Sequence, residues 1–309
     1  MTLVSVVTPS YNQSAFLPQT IRSVLDQDHQ ELEYLIVDGG SSDGSVEIIR
    51  EFAGRLAWWV SEPDAGQAEA INKGLAHAHG DIFAWLNSDD FYLPGAVSAA
   101  VAAFESHPDL VFVYGNMQAV DEDNGLINVF DFEQLSLEDL LCFQIIGQPA
   151  VFMRRSAVEA VGGLNPDFHL LLDHQLWIRL ARRGPILHLA HTLSAARYHA
   201  GAKNRALAAQ FGKEAFQLLQ WIKQDPNLSP VLMQVLPRAR AAAHRVDARY
   251  LIDSGQPREA LRAWLRALSY HPATALARPN LLASALLGIA GLGAIRRQVL
   301  RRRQDRLSR

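Results

Sequence analysis

One cysteine, Cys142, among 309 residues leaves nothing to bridge. An internal disulfide framework is therefore excluded, and a reducing compartment is expected. Neither sign of charge dominates. The 29 Lys and Arg against 32 Asp and Glu give a formal net charge of −3, which does not suggest a nucleic-acid binder. The apolar segment Leu281 to Ile295 is short of the ~20 residues that cross a bilayer. Met1 to Tyr11 has no basic n-region and runs straight into a strand-like segment, so no signal peptide is expected. No Gly-x-Gly-x-x-Gly follows that first segment, which argues against a dehydrogenase. A sugar-1-phosphate nucleotidyltransferase would want a glycine-rich basic loop there, and Pro9-Ser10-Tyr11-Asn12 is not one. What remains, 49% hydrophobic and 20% charged residues, is ordinary globular composition, enough for one large domain or two smaller ones.

Short apolar runs alternate with helical spacing through the first part of the chain. Strands are expected at Leu3–Thr8, Tyr34–Val37, Leu56–Val60, Ile82–Leu86 and Leu110–Tyr114. Helices are expected at Phe16–Leu25, Ser45–Phe52 (capped by Ser42 or Asp43), Ala68–Ala78 and from Pro94 to about His107. Such alternation predicts a mostly parallel sheet flanked by helices. The next part is less regular. Strands are expected at Ile127–Phe132, Ala150–Met153 and Leu193–Tyr198, the last at an edge. Helices are expected at Leu137–Cys142, from Ser156 to the Gly162-Gly163 stop, and at Leu171–Arg182. From Arg205 on, the chain reads as helical, with stretches at Glu214–Ile222, Arg238–Ile252 and Arg258–Leu268. The pair from Ala241 to His271 resembles a single tetratricopeptide hairpin, too little for a solenoid, so a plain helical hairpin is expected. The boundary falls near residue 204, giving an α/β domain over 1–204 and a C-terminal α-helical extension over 205–309.

Polar clusters follow the strands at Pro9–Asn12, Asp38–Asp43, Glu62–Gly66 and Asn87–Asp90. Ligands of open α/β sheets bind outside the carboxyl ends of the strands. Asp89 and Asp90 sit just past an apolar run and are separated from the next helix by Phe91-Tyr92-Leu93-Pro94, so they are not helix caps. Hard carboxylate oxygens there suit magnesium or manganese, which bind one or two carboxylates together with substrate phosphates. Asp43 reads as a cap. The double glycine after Asp38 points to close backbone approach to a ligand.

At this point the chain resembles family 2 glycosyltransferases of the GT-A fold, of the kind that build bacterial surface polysaccharides. The resemblance covers about residues 3 to 203. It is carried in order by Val6-Val7-Thr8-Pro9-Ser10-Tyr11-Asn12, Val37-Asp38-Gly39-Gly40-Ser41-Ser42-Asp43-Gly44, Ser61-Glu62-Pro63-Asp64-Ala65-Gly66, Ala70-Ile71-Asn72-Lys73-Gly74 and Asn87-Ser88-Asp89-Asp90. The last is similar to the family's Asp-x-Asp metal motif. The resemblance implies that Pro9, Tyr11 and Asp38 hold the nucleotide, and that Asp64 and Asn72 line the nucleotide-sugar pocket, with Asn87, Ser88 and Asp90 bordering it. Asp89 would be the direct ligand of a divalent cation, Mn or Mg. Asn87 stands where the motif's first aspartate usually sits, so the site is one charge poorer. Gln148, in Gln148-Pro149, borders the acceptor in relatives. His199 would complete metal coordination. Arg197 and Lys203 would meet the diphosphate or be surface charges.

Val161-Gly162-Gly163-Leu164-Asn165 and then Asp173-His174-Gln175-Leu176-Trp177-Ile178-Arg179 resemble the acceptor-side block, which puts the catalytic base at Asp173. Chemistry supports the placement independently. Displacement at an anomeric carbon needs a base for the attacking hydroxyl, and a carboxylate beside Leu171 and Leu172 is partly desolvated. Trp177, Ile178 and Leu180 read as core. The expected activity is a metal-dependent inverting hexosyltransferase reaction, from a nucleotide-sugar donor to a saccharide or lipid-linked saccharide acceptor. A catalytically degenerate scaffold is the other reading. The tail adds a membrane question. Leu281 to Ile295 followed by Arg296, Arg297, Arg301, Arg302, Arg303, Arg306 and Arg309 fits an interfacial anchor over 281–303 on an anionic cytoplasmic leaflet. It fits equally a terminal core helix with a solvated basic end. A cytoplasmic enzyme, peripheral on the inner face of the membrane in the first case, is expected.

Overall fold

The computed structural model describes residues 2–199, 201 and 206–292. The chain divides into two compact units: residues 1–135 with 146–197, and residues 136–145 with 198–309.

In the first unit the apolar runs become β1 (Val4–Ser10), β2 (Leu32–Asp38), β3 (Trp58–Ser61) and β4 (Ile82–Trp85). They pair in parallel in the order β3-β2-β1-β4. Every residue of β1 and β4 is buried, as strands covered on both faces must be. The covering helices are α1 (Leu17–Leu25), α2 (Ser45–Phe52), α3 (Gln67–Ala76) and α4 (Ala96–Ser106). Leu17, Ile21 and Val24 of α1, Ile49 of α2 and Val97, Ala100 and Phe104 of α4 pack with Val4, Val6 and Ile36 in one core. Helix α3 lies so close over β1 that a Cβ on Gly74 would come within 2.4 Å of Val7 Cγ1. Gly74→Ala should therefore cost ~1–3 kcal/mol by overpacking. Urea unfolding measures this, and an unchanged midpoint would refute it.

Beyond β4 the sheet becomes mixed. Short β5 (Phe91–Tyr92), long β6 (Phe112–Val120), β7 (Leu126–Phe130), β8 (Val151–Arg154) and β9 (Ile186–Arg197) complete it. The order continues β4-β8-β6-β9-β5, with β7 also on β6. Strand β8 runs antiparallel to both β4 and β6, while β9 runs parallel to β6. The expected edge strand is thus an interior one. It begins at Ile186, its start hidden in the sequence by His188 and His191, and its end is covered by β5, too short to read. Two helices complete the first unit among the described residues. In chain order they follow α5 (Leu137–Leu141), which belongs to the second unit, and are α6 (Arg155–Ala160) and α7 (Leu172–Ala181). Cap positions also differ from the reading. Gly44, with φ +98°, caps α2, and Arg154 caps α6.

The second unit is helical. Helix α5 opens with a capping box between Ser136 and Asp139. There follow α8 (Phe211–Gln224), α9 (Ser229–Asp253), α10 (Pro257–Tyr270), α11 (Pro272–Leu276) and α12 (Pro279–Ile289). Arg238 of α9 bonds the Asp139 carboxylate of α5. Helix α9 starts nine residues before the expected Arg238 and runs through Pro237. Helices α9 and α10 form the hairpin, with Ala241, Ala248, Ala263, Trp264 and Ala267 as its seam. Among the described residues no helix is long and apolar enough to cross a membrane. Lys203 and residues 293–303 of the expected anchor lie outside the described residues.

Candidate active site

The carboxyl ends of the parallel strands line up. Ser10 of β1 pairs with Asp38 of β2, and Asp38 with Ser61 of β3. The Asp38 side chain is fully buried, and its own surroundings saturate it. Oδ2 accepts the Gly40 and Ser41 backbone N–H groups at 3.1 and 2.9 Å and the Ser61 hydroxyl at 2.7 Å. Oδ1 accepts the Ser41 hydroxyl at 2.6 Å. Asp38 thus shapes the loop after β2.

The loops after β1 and β2 are laced together. Asn12, with φ +51°, takes the Ser42 N–H on its side-chain oxygen at 2.9 Å and gives its own N–H to Ser41 Oγ at 2.8 Å. Asp43 accepts the Ser14 N–H at 2.9 Å and the Ser45 N–H and hydroxyl at 3.1 and 2.6 Å. Partial burial opposes its ionisation, but these bonds prevail and hold the Asp43 carboxyl at about 2. Between the loops, Pro9 is buried at the end of β1, while Tyr11 is 63% exposed. Asp64 accepts the Gly66 N–H at 2.8 Å and lies over Gly39, where a Cβ would come 2.9 Å from its Oδ2. The glycine after Asp38 serves this close approach.

The acidic loop follows β4. The Thr20 hydroxyl of α1 bonds the Ser88 and Asp90 carbonyls at 3.0 and 2.7 Å. Ser88 and Asp90 are buried and Asp89 is half-buried. Asp90 Oδ1 accepts the Arg197 N–H at 2.9 Å, and Oδ2 accepts the Asn87 amide at 3.3 Å. Burial, then the neighbouring Asp89 charge, pushes Asp90 well above the usual carboxylate range despite these bonds. Arg197, only 3% exposed, is a strut of this loop. Its Nη1 donates to the Asp89 carbonyl, and its Nη2 to Gln19 and Asn124 at 2.7 and 2.8 Å. Its guanidinium lies 4.6 Å from the Phe16 ring and 5.3 Å from the Phe91 ring. It is neither a surface charge nor free to meet a diphosphate. The sequence signal for it was slight: an arginine ending an otherwise small and apolar strand.

A crowded pair of acids, one deeply buried, is a donor set that fits a hard divalent cation. Among the described residues no three His, Cys, Asp or Glu side chains stand ready to hold a metal. Asp89 and Asp90 are the residues that would hold it. His199, two residues beyond β9, is buried and belongs to the second unit.

The acceptor-side block is tied to the sheet at two points. Asn72 of α3 brackets Leu164, donating to its carbonyl and accepting its N–H, both at 2.8 Å. A Cβ on Gly163 would come 2.5 Å from Asn72 Oδ1. Arg179 of α7 donates to the Val161 and Gly163 carbonyls at 2.7 Å each, and burial pulls its guanidinium down to about 10. Asn72 is therefore a staple between α3 and the 161–164 turn, a partnership the sequence reading missed. Trp177 of α7 stacks on Trp85, two residues before Asn87, with ring centroids 5.3 Å apart. Trp177, Ile178 and Leu180 are fully buried, as core. Asp173, half-buried, stands one turn before Trp177 and accepts the His174 N–H at 2.7 Å. Gln148 spends both polar atoms inward, Oε1 on Asn87 at 3.0 Å and Nε2 on the Trp85 carbonyl at 2.8 Å.

A parallel half-sheet ending in laced loops, an acidic pair after its fourth strand, and a mixed second half with an aspartate-headed helix together define a glycosyltransferase of the GT-A fold. The chain belongs to glycosyl transferase family 2, whose profile matches residues 5–161. An uncharacterized glycosyltransferase of Mycobacterium tuberculosis is 34% identical over 58% of this chain and 68% of its own. The putative teichuronic acid biosynthesis glycosyltransferase TuaG of Bacillus subtilis is 31% identical over 59% and 73%. Chondroitin synthase of Pasteurella multocida is 30% identical over 60% of this chain, which spans 20% of that longer protein. Among solved structures, the mannosyltransferase PcManGT of Pyrobaculum calidifontis, in complex with GDP-Man and Mn2+, superposes with TM-score 0.63 at 19% identity, covering 93% of this chain and 87% of that one. S. aureus TarS 1-349 in complex with UDP-GlcNAc gives 0.60 at 16% identity over 96% and 92%.

Proposed function

We propose that this protein is a metal-dependent, inverting glycosyltransferase of the hexosyltransferase type. It moves a sugar from a nucleoside-diphosphate donor to a saccharide or lipid-linked saccharide acceptor in surface-polysaccharide synthesis. The observation that carries the reading is the anchoring of α7. Asn72, Arg179 and the Trp85–Trp177 stack fix the helix whose first turn carries Asp173 against the strand that leads into Asp89 and Asp90. The solved relatives' complexes with GDP-Man and UDP-GlcNAc support a nucleotide-sugar donor, and TuaG and chondroitin synthase support a polysaccharide product.

The nucleotide lies across the loops after β1 and β2, its base on the exposed Tyr11 ring and its sugar end toward Asp64. Asp89 and Asp90 would hold a divalent cation, which would supply charge neutralisation to the leaving diphosphate. Asp173 takes the proton of the acceptor hydroxyl as its oxygen attacks the anomeric carbon. The bond from that carbon to the diphosphate breaks on the opposite face, and the configuration inverts. No protein nucleophile takes part. Contact of 281–303 with the inner membrane surface is part of the proposal. Leu286, Ile289 and Leu292 are exposed just before the arginine-rich tail, where an interfacial segment would need them.

A thermal-shift screen of nucleoside diphosphates with and without manganese tests the reading. A ligand at 100 times its Kd stabilises by ~2.7 kcal/mol. A manganese-dependent rise with one diphosphate is expected, and Asp89→Ala should abolish the manganese dependence. No rise with any nucleotide would instead favour a scaffold without activity.

A further inference from the structure

Asn87 occupies the place where family members carry an acid, and its amide is fully engaged. Its Oδ1 accepts from Gln67 Nε2 at 2.6 Å. Its Nδ2 donates to Asp90 Oδ2 at 3.3 Å and to Gln148 Oε1 at 3.0 Å. Gln148 Nε2 in turn donates to the Trp85 carbonyl at 2.8 Å. The direction of this chain is set at its end. A main-chain carbonyl can only accept, so Gln148 must turn its Nε2 to Trp85 and its Oε1 to residue 87. Residue 87 must then offer a donor to Gln148 and an acceptor to Gln67. A carboxamide offers both, and a carboxylate offers acceptors alone.

We infer that Gln67, Asn87 and Gln148 are positioning residues that orient the Asp90 carboxylate, and that their arrangement requires a neutral amide at 87. Asp90 is then held at both oxygens, by Asn87 on one and by the Arg197 N–H on the other. The inference rests on the metal-dependent reading above and gives it an unexpected sign. Asn87→Asp restores the charge of the family motif, and by charge alone it should strengthen cation binding. Here it sets a second carboxylate against Asp90 and turns an acceptor toward Gln148 Oε1. Gln148 can relieve this only by withdrawing its donor from the Trp85 carbonyl, leaving a polar group unsatisfied. The misplaced Asp90 then weakens the site.

The test uses the full chain. Manganese is titrated calorimetrically into protein holding excess UDP or GDP, and the metal-free, nucleotide-free melting temperature is measured alongside. Asn87→Asp should lower the melting temperature and weaken manganese binding at least ~10-fold. The exchanged pair Asn87→Asp with Asp90→Asn keeps the wild-type charge and reverses the donor. It should recover melting temperature relative to Asn87→Asp alone, since the amide introduced at 90 can donate to the carboxylate introduced at 87 and still accept from Arg197. Manganese binding by Asn87→Asp as tight as wild type, or tighter, overturns the inference. If the wild type itself binds no manganese with nucleotide, the metal reading fails instead. The amide chain is then judged on melting temperature, and an undiminished value for Asn87→Asp rejects it.

Discussion

Asp173→Asn abolishes sugar transfer while leaving nucleoside-diphosphate binding unchanged: this is the largest effect expected of any single substitution here. The amide keeps the volume and the backbone contact of the carboxylate, whose Oδ1 accepts the His174 N–H. It cannot accept the acceptor's proton. General-base catalysis is worth ~10²–10⁴-fold, so kcat should fall by at least that range, with the donor's Kd unaltered. The two readings are separate assays, turnover with a competent donor and acceptor, and nucleotide binding by titration. Near-normal turnover in Asp173→Asn would show that the base lies elsewhere. Unmeasurable nucleotide binding would show instead that the first turn of α7 shapes the donor site. Arg179 and Trp177 anchor the helix independently of residue 173, so the variant is expected to fold.

Arg197→Met is expected to produce the largest loss of stability. The guanidinium is the buried cation beside two acids and joins three segments: the Asp89 carbonyl and Phe91 ring, Gln19 of α1 with the Phe16 ring before it, and Asn124. Removing one partner of a buried charged group costs ~3–5 kcal/mol, because the remaining charge is left uncompensated. Methionine preserves the apolar stem and so isolates the charge and its hydrogen bonds. Urea unfolding measures the loss. Arg197→Lys should recover part of it, since an ammonium restores the charge and not the planar fork. A loss below ~1 kcal/mol in Arg197→Met would mean that the acidic loop holds itself without the strut.

Reading the chain alone placed the parallel half of the sheet well, because buried strands there are continuous apolar runs bounded by turns. Ser45–Phe52 was recovered residue for residue, and Ile82, Trp58 and Leu17 lie within two residues of the expected starts. The mixed half was harder. Strand β9 was shortened and set at an edge, since His188 and His191 break its pattern and β5 is two residues long. The start of α9 was placed nine residues late, at Arg238, because the helix carries Pro237 in its interior, where a proline removes a backbone donor and is rarely found.

The candidate site divides in the same way. Which residue types stand after which strand is a local property, written in the order of Asp38, Asp64, Asn87, Asp89, Asp90 and Asp173. What each side chain does depends on partners remote in sequence. Asn72 meets Leu164 92 residues away, Asn87 meets Gln148 61 away, and Arg197 meets Asp89 108 away. A polar residue has donors and acceptors wherever it sits. Only folding decides whether they are consumed by neighbours or left for a ligand, because a buried polar group must find a partner and the nearest in space is seldom the nearest in sequence. By itself the sequence determined the α/β alternation, the family and the acids at the strand ends. Tertiary structure alone decided that Asp38, Asn72, Gln148 and Arg197 spend their hydrogen bonds within the protein, and that an amide at 87 aims the carboxylate at 90.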